Sequence, residues 1–246
     1  MNDLKNYIEI LCFFYLISTV IGEQVQVVYP FNLISWSNTT QVFKFEVLNI
    51  DHYFQPVDIE WQQKKCQNFK KRIVQTSSVL SNVSKELTVP IPKIKSTITE
   101  DRNSFYRALS FCIFGLEDHH LELREYIADA MFVIYDLSIF MKGAKTLKDY
   151  CSARNVNLKG TEAFYTEILT ASYLLNTCIY IYSTEHKIWQ FFYKNWPNYS
   201  LLNMKKKKCI YLTDTKNYID VVTDVVDNNI INDVELLDTE NINKYV

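Results

Sequence analysis

From Asn103 onward the apolar residues recur at helical spacing, and after Thr177 they change to the short, nearly unbroken runs of strands. Asn103 reads as an N-cap, with Phe105, Leu109, Cys112 and Ile113 on one helical face that ends at Gly115, a natural C′ glycine. His119 to Ile134 carries Leu123, Ile127, Ala130, Met131 and Ile134 at the spacing of a second amphipathic helix. Thr161 opens a third, with Glu162 in its first turn and Phe164, Ile168, Ala171 and Leu175 following. Strands are predicted over Thr177 to Ser183, Lys187 to Tyr193 after a Glu185-His186 turn, Cys209 to Thr213 and Tyr218 to Val226. Helices followed by a run of strands predict an α+β architecture, a small mixed or antiparallel sheet flanked by helices.

The N-terminal half is less regular. Residues 25–60 read as extended segments, and Gln41 to Leu48 alternates through Val42, Phe43, Phe45 and Val47. Gln63 to Arg72 is a polar, basic stretch, and Gln75 to Lys85 is a Ser-rich loop. Pro90-Ile91-Pro92 enforces extended backbone and sets the expected domain boundary. The expected organisation is an apolar leader over 1–22, an extended segment over 23–92, the main domain over 93–226 and an acidic tail over 227–246.

At 246 residues the chain is long enough to bury a substantial core. A formal net charge of −2 gives no electrostatic case for nucleic acid. The apolar run Ile8 to Ile17, followed by Gly22 and the polar Glu23-Gln24, is patterned as a secretory signal peptide. It is too short for a stable membrane span of ~20 residues. The expectation is a secreted or secretory-pathway protein; if the segment is instead an apolar helix packed on the domain, the chain is cytoplasmic. Without Cys12, Cys66, Cys112, Cys151, Cys178 and Cys209 remain, an odd number with no Cys-x-x-Cys pair, so neither a metal site nor a cofactor is expected. Cys112, Cys178 and Cys209 lie in or beside apolar runs and read as core thiols. Asn38, Asn82 and Asn198 begin glycosylation sequons that matter only for a secreted chain.

Three blocks carry a resemblance to a known family. The first is Asp101-Arg102-Asn103-Ser104-Phe105-Tyr106-Arg107-Ala108-Leu109-Ser110, continued by His120 and Leu123-Arg124. The second runs from Gly160-Thr161 through Glu167-Ile168 and Ala171 to Leu174-Leu175-Asn176 and the strand Ile179 to Tyr182. The third is Ile210-Tyr211-Leu212 with Asn217-Tyr218-Ile219-Asp220-Val221-Val222. Together they resemble the OTU (ovarian tumour) domain family of cysteine deubiquitinases, whose nucleophile motif reads Asp-Gly-Asn-Cys-(Leu/Phe)-(Phe/Tyr)-Arg-Ala. The resemblance covers about Pro92 to Val226 and implies an OTU-like cysteine-proteinase fold, with ubiquitin or a ubiquitin-like protein as partner.

The family's catalytic positions fall on Asp101, Ser104 and Asn217, and the departures cluster there. Ser104 stands at the nucleophilic cysteine and Asn217 at the general-base histidine. Ile219 stands where a polar residue would orient that histidine, Arg102 replaces a glycine and Lys159 a tryptophan. A cysteine protease depends on a thiol of pKa near ~8.5 that an imidazole lowers further. A serine hydroxyl needs a placed base, and an asparagine amide accepts no proton at physiological pH. A Ser104–Lys216 dyad would require a desolvated lysine. The expectation is a pseudo-deubiquitinase that binds ubiquitin, a ubiquitin-like protein or another protein. The alternatives are an active or weakly active deubiquitinase or isopeptidase using Ser104, or a secreted structural or interaction protein unrelated to ubiquitin.

Overall fold

The computed structural model describes residues 31–37, 42–48, 50–69, 85–87, 91–96, 98–194, 196, 199, 202–215 and 218–226. The apolar leader, the acidic tail, the three sequon asparagines, Lys216 and Asn217 lie outside the described residues. In chain order the elements are β1 (Phe31–Ser37), β2 (Val42–Val47), β3 (Tyr53–Phe54), α1 (Ile59–Asn68), β4 (Lys85–Glu86) and β5 (Ile91–Ser96). Five helices follow: α2 (Ser104–Phe114), α3 (His120–Val133), α4 (Tyr135–Phe140), α5 (Ala144–Arg154) and α6 (Tyr165–Leu175). The chain then forms β6 (Cys178–Ser183), β7 (Ile188–Phe192), β8 (Cys209–Thr215) and β9 (Tyr218–Val226).

Seven strands make one sheet in the order β2-β1-β7-β6-β8-β9-β5. The β1–β7 and β6–β8 ladders are parallel and the others antiparallel, so the fold is α+β with a mixed sheet. The expected boundary between residues 92 and 93 falls inside β5, and β1 and β2 belong to this same sheet.

Strand periodicity divides the core into two layers. Ile179, Ile181, Ile210, Leu212 and Val221 meet the buried faces of α2, α3 and α6. Tyr180, Tyr182, Tyr211 and Val222 point the other way, into a second cluster with Leu48, Phe54, Tyr199 and Met204. Burial on both faces explains why β6 and β8 are apolar almost without alternation. Gly115 ends α2 with a left-handed φ of 79°, and its N–H donates to Phe111 O at 2.9 Å.

Two sequence expectations are corrected here. The third helix begins at Tyr165 rather than Thr161, and Glu167, not Glu162, lies in its first turn. The preceding backbone is held by non-helical partners: Gly160 N–H donates to Asn103 and Thr161 O accepts from Arg124. Cys178 and Cys209 are not thiols but a disulfide.

The stretch read only as polar and basic forms most of α1. Asp58 caps it by accepting the Trp61 N–H at 3.0 Å and pairs with Lys208. Its buried residues are Gln62, Lys65 and Cys66. Gln62 Nε2 donates to Cys112 O at 2.7 Å and Cys66 Sγ to Ile113 O at 3.0 Å, both at the end of α2. Lys65 Nζ donates to Leu175 O at the end of α6. Carbonyls in the last turn of a helix lack an intrahelical donor, and α1 supplies three.

Candidate functional site

The segment leading into α2 is fixed by one carboxylate. Asp101 Oδ1 accepts the Asn103 N–H at 2.7 Å. Asp101 Oδ2 accepts from Asn103 Nδ2 at 2.9 Å and from Arg107 Nε and Nη2 at 3.1 and 2.9 Å. Burial alone would raise this carboxyl, but the Arg107 guanidinium and the two Asn103 donors hold it down at about 2. Arg107 reaches on to Glu117 at 3.5 Å, which closes an ion-paired patch on the flank of α2.

Asn103 occupies the N-cap position, yet its side chain makes no cap hydrogen bond, contrary to the sequence expectation. Its Oδ1 instead accepts from Arg124 Nη2 and Gly160 N, each at 2.9 Å. Arg124 projects from α3, is 1% exposed, and donates to Val156 O at 3.0 Å and Thr161 O at 2.6 Å. Its guanidinium lies 4.0 Å from the centre of the Tyr106 ring. One buried cation thus joins α3, the start of α2 and the backbone of 156–161. An arginine among Leu123, Ile127 and Ala128 on a buried helix face is the sequence signal that could have assigned it this role.

Ser104 is the first residue of α2 and is 6% exposed. Its N–H donates to Asp101 O at 3.0 Å, and its Oγ accepts the Ile219 N–H at 3.0 Å. The hydroxyl therefore ties the start of α2 to β9. Asn217, outside the described residues, precedes Ile219 by two positions in the chain. Three of the four histidines have side-chain partners elsewhere, and the fourth stands in a hairpin turn. His52 Nδ1 meets Tyr180 Oη at 2.6 Å and His52 Nε2 meets Leu48 O at 3.1 Å, in the layer beyond the sheet. His119 faces Glu122 at 3.5 Å, His120 Nδ1 meets Glu117 O at 2.8 Å, and His186 stands in the turn between β6 and β7.

Arg102 is exposed and lies 4.0 Å from the equally exposed Glu162, a surface pair of little energetic weight. Among the described residues, left-handed backbone falls at Lys142, Asn155, Asn176 and Lys187 and at three glycines, not at Arg102, so the Arg102 backbone does not demand glycine. Glu167 of the second block is buried, and its partners are on α5. It accepts from Tyr150 Oη at 3.0 Å and pairs with Arg154 at 3.7 Å. Burial raises its carboxyl pKa against the pull of Arg154. Among the described residues no group of His, Cys, Asp and Glu is placed to hold a metal ion, and no helix is long and apolar enough to cross a membrane.

No family model matches the chain, and no curated protein matches it by sequence. Among solved structures the chain is similar to the OTU domain of OTUD1, at 22% identity and a TM-score of 0.41 over 54% of this chain and 85% of that one. It is similar to the viral OTU domain protease from Dera Ghazi Khan virus, at 12% identity and a TM-score of 0.43 over 62% and 94%. It is also similar to an ovarian tumour domain in complex with ubiquitin, at 17% identity and a TM-score of 0.40 over 55% and 74%. Each of these structures is an OTU domain, the family whose motifs this sequence resembles.

Proposed function

We propose that this chain is an OTU-like domain without proteolytic turnover that works as a protein-binding module, with ubiquitin or a ubiquitin-like protein as its partner. One observation carries the reading: the Ser104 hydroxyl, at the position of the family's nucleophile, is buried and accepts the Ile219 N–H at 3.0 Å. A serine nucleophile needs a base to take its proton, and the four histidines of the chain have other partners or positions. Asp101 is likewise occupied as the anchor of Arg107 and Asn103. Binding needs the surface of the domain and no base, so it is compatible with every substitution at the catalytic positions. The partner class comes from the resemblance of the three sequence blocks. Titration of the purified chain with ubiquitin, paired with an electrophilic ubiquitin probe, tests the reading: reversible binding without covalent labelling is expected. Covalent capture at Ser104, or the absence of any binding, would overturn it.

A second reading, an interaction protein for which ubiquitin is irrelevant, is favoured by the disulfide between Cys178 and Cys209. Such cross-links belong to oxidising compartments.

A further inference from the structure

Cys178 and Cys209 open two adjacent parallel strands and are direct register partners in the β6–β8 ladder. Their Cα atoms are 4.7 Å apart, within the range a disulfide spans without backbone movement. Both residues are at most 1% exposed. The other described cysteines, Cys66, Cys112 and Cys151, are all buried and unpaired. We infer that this chain completes its folding in an oxidising compartment and carries Cys178–Cys209 there as a permanent structural cross-link.

The distribution of sulfur supports this in two independent ways. The pairing itself is one, because cytosolic thiol buffers keep such pairs reduced. The treatment of the remaining thiols is the other. Every described free cysteine is withdrawn from solvent, and burial pushes the thiols of Cys112 and Cys151 up to about 12, so neither offers a thiolate for exchange. The described part of the chain therefore presents one closed bridge and no competing thiol.

The bond forms by exchange with the disulfide of a protein thiol–disulfide oxidoreductase. One thiolate attacks that disulfide to give a mixed disulfide and releases one oxidoreductase thiolate. The second cysteine thiolate then displaces the oxidoreductase, which departs as a dithiol carrying the two electrons, while the two cysteine protons pass to solvent or to the departing thiolates. Since both sulfurs are buried in the finished sheet, the exchange belongs to folding, before β6 and β8 close. The bridge encloses the β6–β7 hairpin and the lysine-rich approach to β8, across a sequence separation of 31.

The test is a thiol map of the protein isolated from its natural source, denatured and alkylated without reductant. Cys178 and Cys209 peptides are expected joined, and Cys66, Cys112 and Cys151 each alkylated; alkylation of Cys178 and Cys209 would overturn the inference. A second measurement uses the full chain produced in a reducing cytosol and melted before and after enzymatic oxidation. Oxidation should raise the midpoint by about ten degrees, as expected for closing a loop of this length, and an unchanged midpoint would overturn the structural role. Neither measurement depends on whether the domain binds ubiquitin.

Discussion

Ser104 Oγ accepts the Ile219 N–H at 3.0 Å, so this hydroxyl holds the start of a helix against a strand. Ser104→Ala removes the acceptor and leaves a part-buried strand N–H without it, which costs roughly 1–3 kcal/mol. Urea unfolding should show that loss, and hydrogen exchange should quicken at Ile219. An unchanged midpoint would mean the bond contributes nothing.

Catalysis separates a lost reaction from a changed one. The wild type should cleave neither ubiquitin chains nor fluorogenic ubiquitin reporters. Ser104→Cys alone should gain little, because the new thiol lacks an imidazole partner. Ser104→Cys with Asn217→His supplies a thiol and an imidazole at the positions where the proposal places the reacting groups, and any activity should appear there in excess of the summed single changes. Robust wild-type turnover abolished by Ser104→Ala would refute the proposal.

Arg124 is a junction that lysine cannot replace. Its guanidinium reaches Asn103, Val156 O and Thr161 O at once, and a single ammonium on a flexible stem cannot span that set. Arg124→Lys should cost about 3 kcal/mol, near the loss from Arg124→Met, because either change leaves buried acceptors unpaired. Thermal melts of both variants check this; full rescue by lysine would show that charge alone matters.

His52 gives the stability a defined pH dependence. Burial lowers its folded pKa to about 4, although the Leu48 carbonyl and Asp51 oppose the shift. The unfolded imidazole titrates near ~6.5. Between these values the unfolded chain binds the extra proton, so this contribution is complete above the unfolded pKa and declines as pH falls toward the folded one, by roughly 3 kcal/mol in all. Asp101, held at about 2, loses its own contribution only at lower pH. Urea unfolding at pH 7.5 and 4.5 should show a steeper loss for the wild type than for His52→Gln. Equal losses would remove His52 from the account.

The α1 helix should detach when its polar contacts are deleted. Lys65→Met keeps most of the side-chain volume but removes the ammonium donor to Leu175 O, leaving it the Thr177 hydroxyl at 2.9 Å, and Gln62→Ala removes the side-chain donor to Cys112 O. Each should cost about 1–2 kcal/mol, with exchange quickening across 59–68. An effect no larger than that of an exposed Lys148→Met control would dismiss the docking role.

What could be read from the sequence followed from how each element is buried. Helices α2 and α3 and strands β6 to β9 bury apolar side chains at their own periods, so their positions were visible. Helix α1 was hidden because its buried face is Gln62, Lys65 and Cys66, which a hydrophobic pattern scores as surface. Helix α5 buries only Leu147 and Cys151, too little for a period to emerge. The Cys178–Cys209 pairing depends on the parallel register of β6 and β8, which spacing along the chain does not encode. Around the start of α2, Asp101 and Ser104 were legible as parts of a motif. The duty of Asn103 was not, because its partners Arg124 and Gly160 lie 21 and 57 residues away.

The docking of α1 onto main-chain oxygens has an evolutionary corollary. Every residue type carries a carbonyl, so substitutions at Cys112, Ile113 or Leu175 do not delete the acceptor that Gln62, Cys66 or Lys65 uses. The receiving surface can drift in composition while its geometry persists, and selection on the contact falls on the donors alone. Homologues of this chain should therefore vary at the ends of α2 and α6 while keeping hydrogen-bond donors at these α1 positions.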